Sequence, residues 1–322
     1  MPTPLRVLLH NAMTADFEQQ LSDEFPEIQV AGCNSYAELP DNLRDFRPDI
    51  VYAVRFDGSA DYPRDALLGP DGPKWLANGG VGVDHLFPWE MQSTTVTNGA
   101  GVAADMMAEY IIGGFLHFSL NVPGFQQDQN DRFWRIRTVS SLRGKTLLIA
   151  GLGSAGQATA RLAKAFGMTV IGTRNTPQEM DNVDEVFAPE DLINLMPRAD
   201  FIAVCAPLTA KTRGMIGPAC FAAMQSNVII ADVSRGGVID SAALTEALQS
   251  RRIGGAALDV FEVEPLPSDN PLWGFENVLI SPHCSSVYAE WEQDSFDLFK
   301  LNLRNYLDGK PLKNILDPNR GY

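Results

Sequence analysis

An α/β fold with two parallel sheets, each covered by helices on both faces, is what this sequence predicts. Three observations carry the prediction. Short apolar runs alternate with helix-like segments along the chain, the pattern of strands joined by crossover helices. The 322 residues are too many for one small core, and 45% of them are hydrophobic, enough for two. A glycine-rich turn, Gly151-Leu152-Gly153-Ser154-Ala155-Gly156, sits directly after one apolar run and before a helix-like one.

In the first hundred residues the strand candidates are 6–10, 28–31, 49–54, 74–77 and 94–97, with polar or amphipathic stretches between them. Residues 102–120 read as a helix, with Met106, Met107, Tyr110, Ile111 and Phe115 available for packing. Pro123 and Gly124 are expected to break it, and a polar stretch with Trp134 follows. Residue 145 opens a second α/β unit, with strands at 145–150, 169–172, 201–206, 228–233, 255–260 and 278–281. One helix in it is marked by Ser241 as N-cap and by Arg251-Arg252 at the end where positive charge suits the dipole. In the last helix Val287, Trp291, Phe299, Leu303, Tyr306 and Leu307 fall on one face, and Gly309 ends it. A stripe that wide needs a surface to cover. The chain is therefore expected to return here to its first domain. Residues 1–100 with 287–322 would form one domain, and 101–286 a domain inserted into it.

The formal net charge is −15 and the isoelectric point about 4.6. That argues against nucleic acid, which is bound through Lys and Arg on phosphates. An anionic substrate would have to be captured by local positive charge. The four cysteines form no CxxC pair, and no metal-ligand spacing such as HExxH occurs. The N-terminus runs into a strand without a signal-peptide core, and no apolar run reaches membrane-spanning length. A reduced, cytoplasmic setting and no membrane partner are expected.

The glycine-rich turn has the strand–turn–helix context of a dinucleotide fingerprint. Gly151 permits the tight turn, Gly153 lets the backbone approach a pyrophosphate, and Gly156 lets helix and strand pack closely. The N–H groups around Ser154 and Ala155 would face the phosphates from a helix N-terminus. NAD requires an acid at the end of the next strand, to grip the ribose 2′-hydroxyl. Thr173-Arg174-Asn175 stands there instead. A guanidinium binds a 2′-phosphate, with Thr173 and Asn175 adding hydrogen bonds, so NADP(H) is expected over NAD(H).

Farther along come Arg235, Glu264 and His283, in that order. An arginine, a carboxylate and a histidine behind a dinucleotide turn suit hydride chemistry on a carbonyl beside a carboxylate. Arg235 offers a rigid fork of donors to the carboxylate and positive charge beside the carbonyl oxygen. His283 can donate a proton near neutral pH, oriented by Glu264. Plainer readings exist for each. His283 could be structural, Glu264 a solvated loop acid, Asp259 a turn cap and Arg174 a surface arginine.

The chain resembles the D-isomer-specific 2-hydroxyacid dehydrogenase family over nearly its whole length. The resemblance rests on Gly80-Val81-Gly82-Val83-Asp84, the glycine turn, Ala206-Pro207-Leu208-Thr209, Ser234-Arg235-Gly236-Gly237-Val238-Ile239-Asp240, the run from Leu258 to Pro267, and Ser281-Pro282-His283. With Arg174 it looks most like the NADPH-dependent glyoxylate and hydroxypyruvate reductases. The fold this implies is a Rossmann-type cofactor domain inserted into a discontinuous flavodoxin-like substrate domain. Arg235, Glu264 and His283 would be catalytic. Backbone N–H groups of Val81 and Gly82 would hold the carboxylate with Arg235, in an anion nest that glycine flexibility at Gly80 and Gly82 permits. Ala206, Pro207, Val233, Ser234, Asp259 and Ser285 would line the cofactor site, Asp259 at the nicotinamide end. The resemblance also implies a homodimer built on the segment around Phe133 and Trp134, and domain closure over the substrate.

There are three departures from the family pattern. Asp232 stands where Asn is usual before the catalytic arginine, Cys284-Ser285-Ser286 follows the histidine, and Ala155 replaces a larger aliphatic residue. Other readings stay open: phosphite oxidation on the same scaffold, a non-catalytic NAD(P)-sensing protein like the corepressors of this fold, and, with least room, a methyltransferase. Formate oxidation pairs the histidine with Gln, which Glu264 opposes. The pocket walls are expected near Arg55 and Phe56, although Arg55 reads more readily as a surface ion-pair residue. A substrate-pocket role for Trp134 is a further expectation.

Overall fold

Five apolar runs near the start of the chain become a parallel sheet because both of its faces are covered. The computed structural model describes residues 4–55, 62–90 and 93–318, so Phe56 lies outside the described residues. The elements in order are β1 (Arg6–His10), α1 (Thr14–Glu24), β2 (Gln29–Gly32), α2 (Leu39–Phe46), β3 (Ile50–Ala53), α3 (Arg64–Leu67), β4 (Trp75–Asn78) and β5 (Thr95–Thr97). The strands lie in the order β2-β1-β3-β4-β5, all parallel. Alternation decides the layers. Val7 and Leu9 of β1 face a core with Phe17 and Leu21 of α1. Leu8 between them faces the opposite core, with Leu39 and Leu43 of α2.

A second sheet repeats this plan. It follows α4 (Ala104–Ser119) and α5 (Val122–Asn130) and runs through β6 (Thr146–Ala150), α6 (Ser154–Ala165), β7 (Thr169–Thr173), β8 (Glu185–Phe187), α7 (Leu192–Leu195), β9 (Phe201–Val204), α8 (Pro218–Ala223), β10 (Ile229–Asp232), α9 (Ser241–Gln249), β11 (Gly255–Leu258) and β12 (Val278–Ile280). The order is β12-β11-β10-β9-β6-β7-β8, all parallel. The direction of winding therefore reverses between β6 and β9, which is where open α/β sheets hold ligands, beyond the carboxyl ends of the strands. Leu147 and Ile149 of β6 pack under α4 and α6, while Leu148 and Ala150 face α7, α8 and α9.

The last helix, α10 (Trp291–Leu307), belongs to the first sheet. Its Phe296, Phe299 and Leu303 complete the core around Val7, Ile50 and Trp75. Ser295 Oγ accepts from Tyr52 Oη at 2.9 Å and donates to the Gly79 carbonyl at 2.8 Å. The chain thus divides into two compact units, Met1–Val102 with Ala289–Tyr322, and Ala103–Tyr288. No helix among the described residues is long and apolar enough to cross a membrane.

Several local expectations are corrected. Pro123 and Gly124 do not end the helical region; they lie in the first turn of α5, where a missing N–H costs nothing. Asn121 takes a left-handed φ of 52° and its side chain accepts from Gly124 N, so one residue ends α4's run and caps α5. The N-cap of α9 is Asp240, whose carboxylate accepts from Ala243 N at 2.8 Å; Ser241 is the first helical residue. Val287 precedes α10 and is exposed, as is Leu307, and Phe296 supplies the buried ring instead. Strand β8 was not anticipated. It is a three-residue edge strand that opens on Glu185.

Candidate active site

The glycine turn follows β6 at the reversal point. Gly151 has φ +107°, and a Cβ there would come within 2.7 Å of Ala206 N, so the turn leans on the backbone after β9. A Cβ on Gly156 would meet the Gly151 carbonyl, and Ile149 Cγ2 at 3.1 Å, which locks α6 against β6. Gly153 is the exception. A Cβ on it would meet nothing within 4 Å, so its backbone faces open space at the start of α6. Gly153 itself offers no side-chain cap, and the first N–H groups of a helix have no intrahelical partner. Ser154 and Ala155 begin that turn. A backbone held this close and left open there fits a pyrophosphate.

At the end of β7, Thr173 is buried and its carbonyl accepts from Leu152 N at 2.9 Å. The half-buried Arg174 and exposed Asn175 form the polar edge of this loop. Arg174 N donates to the Phe187 carbonyl at 3.0 Å, and Nη1 lies 3.2 Å from Met180 Sδ, so β8 and the turn before it position the guanidinium. Ala206, Val233, Ser234 and Ser285 are buried with their backbones near these strand ends, and Pro207 is exposed.

The three candidate catalytic side chains lie on loops that leave three adjacent strands. Arg235 follows β10, Glu264 follows β11 and His283 follows β12. His283 Nδ1 is 2.7 Å from Glu264 Oε2, and both side chains are partly exposed. The other Glu264 oxygen accepts from Phe261 N at 2.8 Å, which aims the carboxylate. Nδ1 facing an acceptor makes it the protonated nitrogen and leaves Nε2 for chemistry. Half-buried Arg235 is steadied by Nη1 donating to the Ser234 carbonyl at 2.8 Å. Gly236 brings the two loops together. A Cβ there would strike the Phe261 carbonyl and come within 2.6 Å of Glu262 N.

Two buried acids underlie these loops. Asp259 is fully buried rather than open at its carboxylate; it accepts from Cys284 N at 2.8 Å and Ser285 N at 2.9 Å, while its carbonyl accepts from His283 N at 2.9 Å. His283 has a left-handed φ of 51°, a strained conformation for a side-chain-bearing residue that these bonds hold in place. Asp232 Oδ1 accepts from Ser234 N at 3.0 Å and Ser234 Oγ at 2.5 Å. Burial pushes the Asp232 carboxyl up to about 7, with the charge of Asp259 adding to the effect and the Ser234 bonds opposing it.

In the first unit, the loop after β4 carries Val81 and Gly82. The carbonyls of Gly80 and Gly82 accept from Asn78 Nδ2 at 2.7 and 3.3 Å, and that of Val81 accepts from Asn98 Nδ2 at 2.8 Å. Gly80 keeps an ordinary φ, so the loop is shaped by these two asparagines rather than by a left-handed glycine at that position. Neither asparagine stood out in the sequence. Exposed Trp134 and Ile136 lie on the segment between α5 and β6, 96% and 93% accessible.

Comparison with known proteins agrees with this geometry. Residues 112–285 match the family model described as D-isomer specific 2-hydroxyacid dehydrogenase, NAD binding domain. The chain is 33% identical over 306 residues to a D-3-phosphoglycerate dehydrogenase of Methanocaldococcus jannaschii, covering 92% of this chain but only 57% of that longer protein. It is 39% identical over 325 residues to the glyoxylate/hydroxypyruvate reductase B of Citrobacter koseri, covering 97% of this chain and 98% of the relative. Among solved structures, the NADPH-dependent glyoxylate/hydroxypyruvate reductase of Sinorhizobium meliloti, in complex with NADP and sulfate, superposes with a TM-score of 0.81. It is 25% identical and covers 99% of this chain and all of that one. A Rossmann sheet with its glycine turn at the reversal point, a His–Glu pair and an arginine on neighbouring loops, and a family model spanning more than half the residues lead to one conclusion: the chain belongs to the D-isomer-specific 2-hydroxyacid dehydrogenase family.

Proposed function

We propose that the protein is an NADP(H)-dependent reductase of small 2-oxo acids, glyoxylate or hydroxypyruvate, interconverting them with the D-2-hydroxy acids. The observation that carries this reading is the His283–Glu264 pair at 2.7 Å, on loops neighbouring that of Arg235. The nucleotide supplies the hydride when bound. Gly151, Gly153, Ser154, Ala155 and Gly156 would hold its pyrophosphate, and Arg174 with Asn175 its 2′-phosphate, with NAD(H) the weaker alternative. Ala206, Pro207, Val233, Ser234, Asp259 and Ser285 are assigned to the walls of that site. Arg235 binds the substrate carboxylate and polarises the 2-oxo group. His283 Nε2 gives a proton to the carbonyl oxygen as it gains charge, and Glu264 stabilises the imidazolium that serves as donor. In the first unit, the backbone N–H groups of Val81 and Gly82 are further carboxylate donors in this reading. Residues Met1–Val102 with Ala289–Tyr322 are assigned as the substrate domain.

A cytoplasmic homodimer completes the proposal. Its support is the exposed apolar run of Phe133, Trp134, Ile136 and Val139. The test is oxidation of NADPH and of NADH by the purified protein with glyoxylate, hydroxypyruvate, pyruvate and a bulky aromatic 2-oxo acid. Turnover is expected with NADPH and the two small substrates. NADPH binding without turnover on any of them would overturn the enzyme reading and favour a sensor.

A further inference from the structure

Helix α4 reaches the loop of His283 through one hydroxyl. Tyr110 Oη lies 2.7 Å from Ser281 Oγ, and Ser281 Oγ lies 2.5 Å from Asp259 Oδ1. Ser281 carries a single hydroxyl proton. The Asp259 carboxylate, which already accepts two backbone N–H groups, takes that proton as its third hydrogen bond. Tyr110 must therefore be the donor to Ser281, and the chain of bonds runs from phenol to serine to carboxylate. Burial pushes the Tyr110 phenol up to about 12, with Asp259, Cys284 and Asp232 adding to the effect, so it keeps its proton to donate.

The position of this chain gives it a task. Asp259 takes its backbone donors from Cys284 and Ser285, just past His283, and its side-chain donor from Ser281, just before it. The loop is wound around one carboxylate, with the strained His283 backbone at the crest. Glu264 fixes only the imidazole. The backbone beneath the ring is fixed by Asp259, and Asp259 is fixed in part by Ser281. Tyr110 is 171 residues away in sequence and reaches Ser281 from a helix that packs against α6, β10 and β11. Its ring contributes to the apolar core beneath α4, but that contribution does not need the hydroxyl.

We propose that Tyr110 is a positioning residue for the proton donor: its hydroxyl, through Ser281 and Asp259, holds the His283 loop in the geometry that keeps Nδ1 on Glu264. The proposal rests on the reading of His283 as the acid. Tyr110→Phe keeps the ring and removes only the bond. In NADPH-dependent glyoxylate reduction, kcat should fall about tenfold, with KM and the NADPH Kd unchanged within about twofold. Ser281→Ala should lower kcat as well, and the double variant should be no worse than Ser281→Ala alone, because both break one chain. The 15N resonances of the His283 imidazole, assigned by their loss in His283→Asn, should shift or broaden in Tyr110→Phe. An unchanged kcat with coincident His283 resonances overturns the proposal. So does a lowered Tm with kcat and NADPH binding falling together, since that is a general structural defect. Should the wild-type protein reduce no 2-oxo acid, the function reading fails by itself, and the imidazole spectra still decide whether Tyr110 holds the loop.

Discussion

Asp232 and Asp259 leave the ends of adjacent strands with buried carboxyls, and their surroundings treat them differently. Asp259 gathers donors from three residues, whereas Asp232 accepts from Ser234 and sits among Asp259 and the Cys205 thiol, itself pushed up to about 12 by desolvation and by Asp232. The Asp232 carboxyl rises from 3.8 to about 7 on folding. The folded chain then holds a proton that the unfolded chain has released, so stability falls as pH climbs through this window and stays low above it. Asp232→Asn keeps the oxygen that Ser234 needs. The variant should therefore be more stable than wild type at pH 8, by at most about 4 kcal/mol, with the gap closing towards pH 4. Urea unfolding at both pH values checks this, and a constant gap would refute the buried-acid account. Arg174 gives a second prediction at this scale. In the proposed reading Arg174→Asp would remove a bidentate phosphate partner and add a repelling charge, so the NADPH/NADH ratio of kcat/KM should drop by roughly a hundredfold or more. An unchanged ratio would remove Arg174 from the cofactor site.

At the scale of the element, the turn from β6 into α6 is the most constrained piece of backbone. Gly156→Ala would press a methyl group onto the Gly151 carbonyl. Nucleotide binding should weaken at least tenfold, and Tm should fall by several degrees; calorimetric titration with NADPH and a thermal scan test both. The same turn shows what a sequence discloses. Its glycines sit in a local context of strand, turn and helix, and so do the apolar strands, whose buried faces leave continuous hydrophobic runs. Edges and junctions were less readable. β8 is short and borders solvent, so its apolar signal is weak. α5 hid behind Pro123 and Gly124 because a proline in a first turn and a proline that breaks a helix look alike without the left-handed Asn121 before it. In the site, Arg235, Glu264 and His283 stand in recognisable motifs. Tyr110 in the same unit, and Asn78 and Asn98 in the first unit, do not, because each acts only through side-chain hydrogen bonds to a loop, those of Asn98 and Tyr110 reaching residues distant in sequence.

For the whole molecule, the exposed apolar segment between α5 and β6 sets the expected state of association. Arg137 pairs with the largely buried Asp128 at 2.5 Å and anchors the segment to α5, while Trp134 and Ile136 stay open to solvent. Trp134→Ser with Ile136→Ser should convert the proposed dimer into a monomer without lowering the Tm of the isolated fold by more than a few degrees. Light scattering and calorimetry together test this, and a wild-type monomer would exclude the dimer.

The return of α10 to the first sheet has a consequence for synthesis. A ribosome delivers the first 102 residues long before Phe296, Phe299 and Leu303, which fill one side of their core. The inserted unit, by contrast, is continuous and can close as soon as it emerges. The nascent chain therefore carries a finished nucleotide-type domain and an apolar sheet face that only α1 covers until translation has passed Leu303. That interval is when a chaperone has most to protect.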